Sequence, residues 1–353
     1  MNSFVEKIIE AGVRAPSGEN SQPWRFICDE NKIKLYNVPE RDQSLYNFNQ
    51  FGSLFSHGAV LENMRIAAEE FGYTFEPLLF PDLGEENLVA TIDLKSFEKS
   101  NNFKNPLYDS IWHRSTNRKS YYKKVLTSEQ ISTLTKVQLA DCRVLFNSNF
   151  DDIQSLGKIA SMNEKIMLEN KNLHNFFFSH INWSRKEDDT KRFGFYIETL
   201  ELPTPAQLLF KLFANWDLLR RLNKIGISSF VAKQNANVYS KASAYGVITI
   251  PKLDRVNVVN AGRLAERLWL TVTTNKLSLH PLTGILFFAH RVLLEDNLHS
   301  LFSKEHRDLI TLNYNMIKNF FGVKDETIIF MFRVGSAPRP TAVSIRHNLA
   351  DFL

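Results

Sequence analysis

The pentapeptide Gly58-Ala-Val-Leu-Glu62 returns as Gly262-Arg-Leu-Ala-Glu266, and the same offset lays Pro77-Leu78 over Pro281-Leu282. Both copies sit inside helical patterns. Ser53 to Phe71 carries Leu54, Leu61, Met64, Ala68 and Phe71 on one stripe and ends at Gly72. Val258 to Thr274 carries Ala261, Leu264, Leu268 and Val272 in register. Helix, turn and Pro-Leu strand start recur without a gap, so the chain reads as an internal duplication. The physical meaning is two similar halves that pack as a pseudo-dimer about a pseudo-two-fold axis. The expected division is residues 1–104 for a first, degenerate half and 105–353 for the second. The polar stretch Ser96 to Asn105 is the candidate linker.

Around these helices the other elements read in order. Phe4, Ile8, Ile9 and Val13 have helical spacing after Ser3, a plausible N-cap. Arg25 to Cys28 and Ile33 to Val38 read as a hairpin around Asp29-Glu30-Asn31. Between helix and hairpin lies Ala-Pro-Ser-Gly-Glu-Asn-Ser-Gln-Pro-Trp-Arg-Phe, residues 15–26. Pro16, Gly18 and Pro23 exclude both a helix interior and a central strand, so this is an ordered loop. Its Ser17, Asn20, Ser21 and Gln22 either offer hydrogen bonds to a ligand edge or satisfy the local backbone. Further on, Thr127 and Gln130 have capping-box spacing. Strands are expected at Leu88 to Leu94, Arg143 to Phe146, Tyr245 to Ile250 and Thr327 to Val334. Asp151 to about Leu173 reads as largely helical, and Asn313 to Phe321 as a short helix. An insert is expected at about residues 174–237, with a basic amphipathic segment from Gln207 to Lys224 that reads as a packed helix with solvated charges or, as the minor alternative, a membrane-surface helix.

The halves differ where a ligand would bind. Thr283-Gly284 in the second is Leu79-Phe80 in the first; glycine admits a close backbone approach that phenylalanine would fill. The cluster Arg114-x-Thr116-x-Arg118 belongs to the second half alone, the 15–26 loop to the first alone. Each half keeps what the other lacks, which predicts one site per chain at the interface between them.

Composition narrows the function classes. A net charge of +5, from 43 basic and 38 acidic residues, is too mild and too dispersed for a nucleic-acid binder but suits an anionic ligand. Two cysteines, Cys28 and Cys142, make no disulfide framework; buried free thiols in the cytoplasm are expected. Met1 to Glu10 does not read as a signal peptide, and no apolar run approaches the roughly 20 residues of a membrane span. There is no G-x-G-x-x-G, P-loop, H-E-x-x-H, C-x-x-C or G-x-S-x-G. His174 and His180 lack a metal-ligand cluster, so no metal is expected. His57 and His113 read as helix-end or supporting residues, Trp24 and Trp269 as core.

The 15–26 loop resembles the signature loop of the nitroreductase superfamily, FMN-dependent enzymes that work as intertwined dimers. Arg114-Ser-Thr116-Asn-Arg118 with Leu126-Thr-Ser-Glu-Gln130 resembles that family's phosphate-binding segment and following helix. His280-Pro-Leu-Thr-Gly284 is similar to the turn whose backbone N–H faces flavin N5, and Val343-Ser-Ile-Arg346 to the C-terminal segment that closes on the phosphate. The tandem arrangement and the insert resemble the Acg-like branch, in which one chain holds two such halves.

The resemblance implies an α+β, nitroreductase-like fold with a lid-like helical insert and an FMN site. Arg114, Thr116 and Arg346 would hold the phosphate, Arg118 would sit near N1 and O2, and Thr283 and Gly284 would present backbone near N5. Pro16, Ser17 and Gly18 would cross over to cover the ring and ribityl chain. Ser344 stands at a commonly basic position. The implied activity is hydride transfer from NADH or NADPH through flavin N5 to a small-molecule electron acceptor, a nitroaromatic or quinone. No protein acid or base is named for it. The alternative is a protein that stores or sequesters FMN under its lid, and a third is a partner protein without flavin. A monomeric pseudo-dimer or a homodimer would serve.

Overall fold

Alternating polar and apolar residues in Trp24–Asp29 (β1) and Lys32–Asn37 (β2) start a sheet with one wet face. The structure, a computed structural model, describes residues 3–97, 104–295 and 301–353; most of the predicted linker, residues 98–103, lies outside them. The hairpin follows helix Ser3–Gly12 (α1), and the long helix Phe51–Glu70 (α2) follows the hairpin. Short strands Tyr73–Thr74 (β3), Pro77–Leu79 (β4), Leu88–Asp93 (β5) and Lys95–Ser96 (β6) complete this part. The sheet order is β1-β2-β5-β4, all antiparallel, with β3 paired to β6 apart.

The remainder repeats the plan. Helices Tyr108–His113 (α3) and Ser128–Thr135 (α4) precede strand Arg143–Asn147 (β7). Strand Ala244–Ile250 (β10) leads into the long helix Arg255–Thr274 (α12), then Ser278–Pro281 (β11), helices Gly284–Leu294 (α13) and Lys304–Phe321 (α14), and strand Thr327–Gly335 (β12). Read from β7, the order is β7-β10-β12-β11, strand for strand the order of the first sheet. Between β7 and β10, where the first sheet has only the turn Glu30-Asn31, the chain makes a helical excursion over residues 148–243. It holds Phe150–Ala160 (α5), Met162–Glu169 (α6), Lys171–Ser179 (α7), Arg185–Lys191 (α8), Thr204–Phe213 (α9), Trp216–Asn223 (α10) and Ile227–Tyr239 (α11). The parallel pair Ile181–Asn182 (β8) and Phe195–Tyr196 (β9) joins its turns.

Helices α2 and α12 cross at the repeated glycines. A Cβ on Gly58 would lie 2.0 Å from the Val259 carbonyl oxygen, and one on Gly262 1.9 Å from that of Phe55, so only glycine lets the two backbones meet. One turn on, Glu62 accepts from Arg65 and Arg267, with Arg263 at 3.5 Å, while Glu266 pairs with Arg114 at 3.0 Å. The duplicated Gly-x-x-x-Glu is therefore the crossing point and its charged rim.

The excursion changes the second sheet. β1 alternates buried and exposed residues, but β10 (AYGVITI) is buried throughout. Ala244, Ile248 and Ile250 face the core shared with α2 and α12; Tyr245 and Val247 face a second core formed with the excursion, α13 and α14. Two sequence readings were incomplete here. Gly284–Leu294 is a helix missed because GILFFAHRVLL is apolar nearly all round and so has no helical period. The last helix starts at Lys304, not Asn313; Ser303 caps it, its hydroxyl accepting from the His306 N–H. Among the described residues no helix is long and apolar enough to cross a membrane.

Candidate functional site

A cavity of about 510 Å³ lies against the α2–α12 crossing, within the range that encloses drug-sized ligands. Pro16, Ser17 and Gly18 line it from the first half; Thr116, Arg118, Thr283 and Gly284 line it from the second. A smaller space of about 110 Å³ shares Pro16, Ser17, Thr116 and Arg118 with it and adds Arg14, Arg114, Ser344 and Arg346. Pro16, Ser17, Gly18, Arg114, Thr116, Arg118, Thr283, Gly284 and Arg346 thus each border one of two adjoining spaces, whereas Ser21 and Gln22 border neither.

Local structure explains how they converge. The segment after α3 runs beside β11, with Thr116 bridged to Leu279 and the Asn117 N–H bonded to the Leu279 carbonyl at 3.2 Å. That brings Arg114 to Arg118 next to the strand ending at Pro281, and Thr283, the N-cap position of α13, follows two residues later. The chain after β12 returns to the first half, where Phe352 buries itself against Trp24. On the way it delivers Arg346, whose guanidinium donates to the Asn20 Oδ1 at 2.6 Å and the Ala15 carbonyl at 3.0 Å.

The small space is a cation cluster. Arg114 stacks over Trp269 with its guanidinium 4.8 Å from the ring and donates to the Arg14 carbonyl. Arg118 donates to the Thr199 carbonyl at 3.1 Å. No carboxylate lines this space among the described residues; Glu266, on the wall of the larger cavity, pairs with Arg114 at 3.0 Å. Burial, together with Arg114 and Arg14, pulls the Arg346 guanidinium down to about 9. Burial also lowers Arg118. The Arg346 Nε is buried without a partner. A cluster of arginines without a lining carboxylate has the charge that suits a multiply charged oxyanion.

Several sequence readings change in detail. Asn20 and Gln22 do not offer themselves to a ligand: Asn20 Nδ2 donates to the Ile345 carbonyl at 2.8 Å, and Gln22 Nε2 to the Arg192 carbonyl at 2.8 Å. They tie the loop to the tail and the excursion. Ser17 Oγ accepts from the Gln22 N–H at 2.9 Å and still borders both spaces. A Cβ on Gly284 would meet Asn163 Oδ1 at 2.1 Å, so the close approach there is to α6. Trp269 is buried but also forms cavity wall. Cys28 is only partly buried; Cys142 is buried, and both are free.

Other site residues carried no sequence signal. Arg333 on β12 is fully buried, donates to the carbonyls of Val238 and Lys119, and gives its Nε–H to His280 Nδ1 at 3.2 Å. A guanidinium cannot accept, so His280, which lines the cavity, carries its proton on Nε2. Burial and the neighbouring Arg333 and Arg118 lower it well below the usual histidine range, which keeps it neutral. Glu164 on α6 and Glu19 in the opening loop also line the cavity; burial raises them to about 7 and about 8. Glu164 sits among other polar residues of α6 and Glu19 inside the opening loop, with no spacing that marks either one for a ligand.

The chain matches no protein-family model. Along its whole length it is similar to an uncharacterized Mycobacterium tuberculosis protein, MT1398: 20% identity over 351 residues, 98% of this chain and 48% of the relative. The chain therefore spans about half the length of that relative. It is also similar to the "Putative NAD(P)H nitroreductase acg" of Mycobacterium tuberculosis, with 33% identity over 91 residues, 25% of this chain and 27% of the relative. Among solved structures it superposes on the FMN-dependent nitroreductase NfnB of Mycobacterium smegmatis in complex with NADPH, with 12% identity, a TM-score of 0.41, and coverage of 70% of this chain and 96% of that one. The fold itself is α+β, two four-stranded antiparallel sheets with helices packed on them. The chain's likeness is to the nitroreductase superfamily, and within it to Acg.

Proposed function

We propose that the chain is an FMN-dependent oxidoreductase that passes a hydride from NADH or NADPH to a nitroaromatic- or quinone-type acceptor. In this reading residues 1–104 and 105–353 are two halves packed as an intramolecular pseudo-dimer, with one flavin site at their seam. The observation that carries it is the union of an arginine pocket lacking carboxylates with a larger, mainly apolar cavity. A ligand with a phosphate at one end and a flat ring system at the other fits that union.

Arg114, Thr116 and Arg346 would bind the phosphate. Arg118 borders both spaces and would place positive charge beside the N1 and O2 edge, where it raises the potential of a bound flavin. Pro16, Ser17 and Gly18 would cover the ring and ribityl chain, and the start of α13 at Thr283 and Gly284 would turn backbone N–H groups towards N5. His280, held neutral, would add a fixed Nε2–H donor to the same wall. Bound here, FMN supplies the hydride chemistry; the chain binds, orients and excludes water.

A second reading is supported by the excursion, which contributes Phe177, Leu202, Phe210 and Phe213 to the cavity wall and so covers it. FMN would then be stored with little turnover. A visible spectrum of the FMN-loaded protein decides: rapid bleaching by NADPH supports the reductase, persistent yellow supports storage, and failure to take up FMN at all overturns both.

A further inference from the structure

Helix α9 buries Phe213 and helix α10 buries Leu219, yet their outer faces are not polar. Leu208 and Leu212, one turn apart on α9, are 69% and 57% exposed, and Ile225, just past the end of α10, is 78% exposed. Leu218 on α10 and Phe230 on α11 are exposed as well. A helix of a globular protein turns such residues to the core, and an apolar surface left outside marks a contact. Leu208, Leu212 and Ile225 have no share in the large cavity, so their exposure is to the outside. Leu209 on α9 and Phe230 on α11 do line it and are both exposed, which places the cavity mouth between these helices, on the same surface.

The charge of this surface has one sign. From Pro203 to Lys233 the chain carries Lys211, Arg220, Arg221, Lys224 and Lys233, all exposed, against a single acid, Asp217. Asp217 lies 3.9 Å from Arg220, whereas Arg221, Lys224 and Lys233 make no ion pair among the described residues. The cations are interleaved with the apolar residues: Lys211 falls between Leu208 and Leu212, Arg221 and Lys224 between Leu218 and Ile225. Leucine, isoleucine and phenylalanine set among lysines and arginines whose long stems reach past them is the composition of a surface that lies in a membrane interface. A second copy of the chain would set these cations against their own equivalents across a two-fold contact and cover the cavity mouth. An anionic bilayer meets them with the opposite charge.

We infer that α9, α10 and the start of α11 form a docking surface for an anionic lipid bilayer, with Leu208, Leu212 and Ile225 entering the interface and Arg221, Lys224 and Lys233 against the headgroups. The docking needs no flavin and is independent of the oxidoreductase reading. It turns the mouth of the large cavity towards lipid.

The test is sedimentation of the full chain with vesicles of phosphatidylcholine, alone or with about 30% phosphatidylglycerol, at about 0.1 M salt. Wild type binds the anionic vesicles at least about tenfold more tightly than the neutral ones, and about 0.5 M salt weakens that binding. Leu208→Ser combined with Leu212→Ser and Ile225→Ser lowers binding to anionic vesicles by about tenfold or more. Arg221→Gln combined with Lys224→Gln lowers it by about tenfold to thirtyfold. None of these five residues lines either space of the flavin site, so FMN uptake by both variants equals that of wild type and is measured separately. No binding of wild type to anionic vesicles, equal binding to both vesicle types, or binding unchanged in either variant overturns the docking surface. Sedimentation velocity without vesicles covers the competing occupant: a wild-type dimer that the serine variant converts to monomer, with no vesicle binding, gives the face to a second copy and overturns the proposal too. If the serine variant does not fold, the Arg221→Gln, Lys224→Gln variant and the salt dependence decide.

Discussion

Gly58 and Gly262 are each other's packing surface: a Cβ on Gly58 would lie 2.9 Å from the Gly262 Cα, and one on Gly262 would lie 3.1 Å from the Gly58 Cα. The obstructing atoms are backbone, so no side chain can swing aside. Gly58→Ala should force α2 and α12 apart and cost about 3 kcal/mol or more, the upper end of overpacking effects. Chemical denaturation measures it. A midpoint equal to that of wild type would show that the crossing is looser than described.

The arginine pocket should distinguish FMN from riboflavin. The phosphate contributes charge-assisted bonds, each worth about 1.5–3 kcal/mol, so FMN should bind at least tenfold tighter at pH 7. Burial beside Arg114 and Arg14 lowers the Arg346 pKa to about 9, which brings loss of its charge within reach of alkaline pH. Anion binding favours the charged form, so the preference should shrink as pH rises through about 9. Arg346→Gln should shrink it at every pH. Calorimetric titration of both ligands at pH 7 and pH 10 reads the outcome; an unchanged preference removes Arg346 from the phosphate site.

Gly18 is exposed, and a Cβ there would meet only Asp42 Oδ2 at an ordinary 3.6 Å. Gly18→Ala should be silent. Gly18→Leu should leave the melting temperature unchanged but lower flavin occupancy, because the larger side chain enters the cavity that Gly18 lines. Full flavin content in purified Gly18→Leu would dismiss the covering role of the loop.

Glu62 is a buried carboxylate beside Arg65, Arg263 and Arg267. Burial alone would raise its pKa, but Arg65 and Arg267 outweigh it and the pKa is lowered. The stability its charge contributes is therefore complete above the ordinary carboxylate range and lost as pH falls through the lowered value. Glu62→Gln should cost about 2–3 kcal/mol at pH 7, below the range for a fully buried pair, since the three part-buried guanidiniums lose their shared carboxylate while Arg65 keeps Glu69. The gap to wild type should narrow in acid. Urea midpoints at pH 7 and pH 4 test both parts.

The elements most open to sequence reasoning were those with a period or a local signature. The hairpin pairs Cys28 with Ile33 in register, and the Thr127 cap is real, the Gln130 N–H donating to Thr127 Oγ1 at 3.2 Å. The repeated Gly-x-x-x-Glu marked the helix crossing because a close backbone approach can be met only by glycine. Arg333 and Glu164 stayed hidden. Arg333 is one polar residue in a buried strand and Glu164 one of several on α6, and the meaning of each comes from partners far off in sequence: His280 for Arg333, Tyr239 for Glu164. Asn20 was misleading for a related reason. Its composition suits a ligand, yet its amide is used by Ile345 and Arg346, more than three hundred residues away.

The helical excursion leaves β7 after Asn147 and rejoins the sheet at Ala244 in β10, and those strands are antiparallel neighbours with Asn147 opposite Tyr245. Its two ends therefore stand side by side, about 5 Å apart, the ordinary spacing of paired residues. The sheet's register holds no record of what is plugged in between, and closing a long loop costs little more than closing a short one. Arg14, Arg114, Arg118 and Arg346 all lie outside that span, whereas Glu164, Phe210 and Tyr239 lie within it. Joining Asn147 to Ala244 by a two-residue turn would strip Phe195 and Thr199 from the arginine pocket and cost Arg118 its Thr199 partner, but would remove none of the four arginines. In the proposed reading, anion capture and the choice of what may reach the captured ligand would thus sit on different stretches of one chain, so the second could be exchanged without rewriting the first.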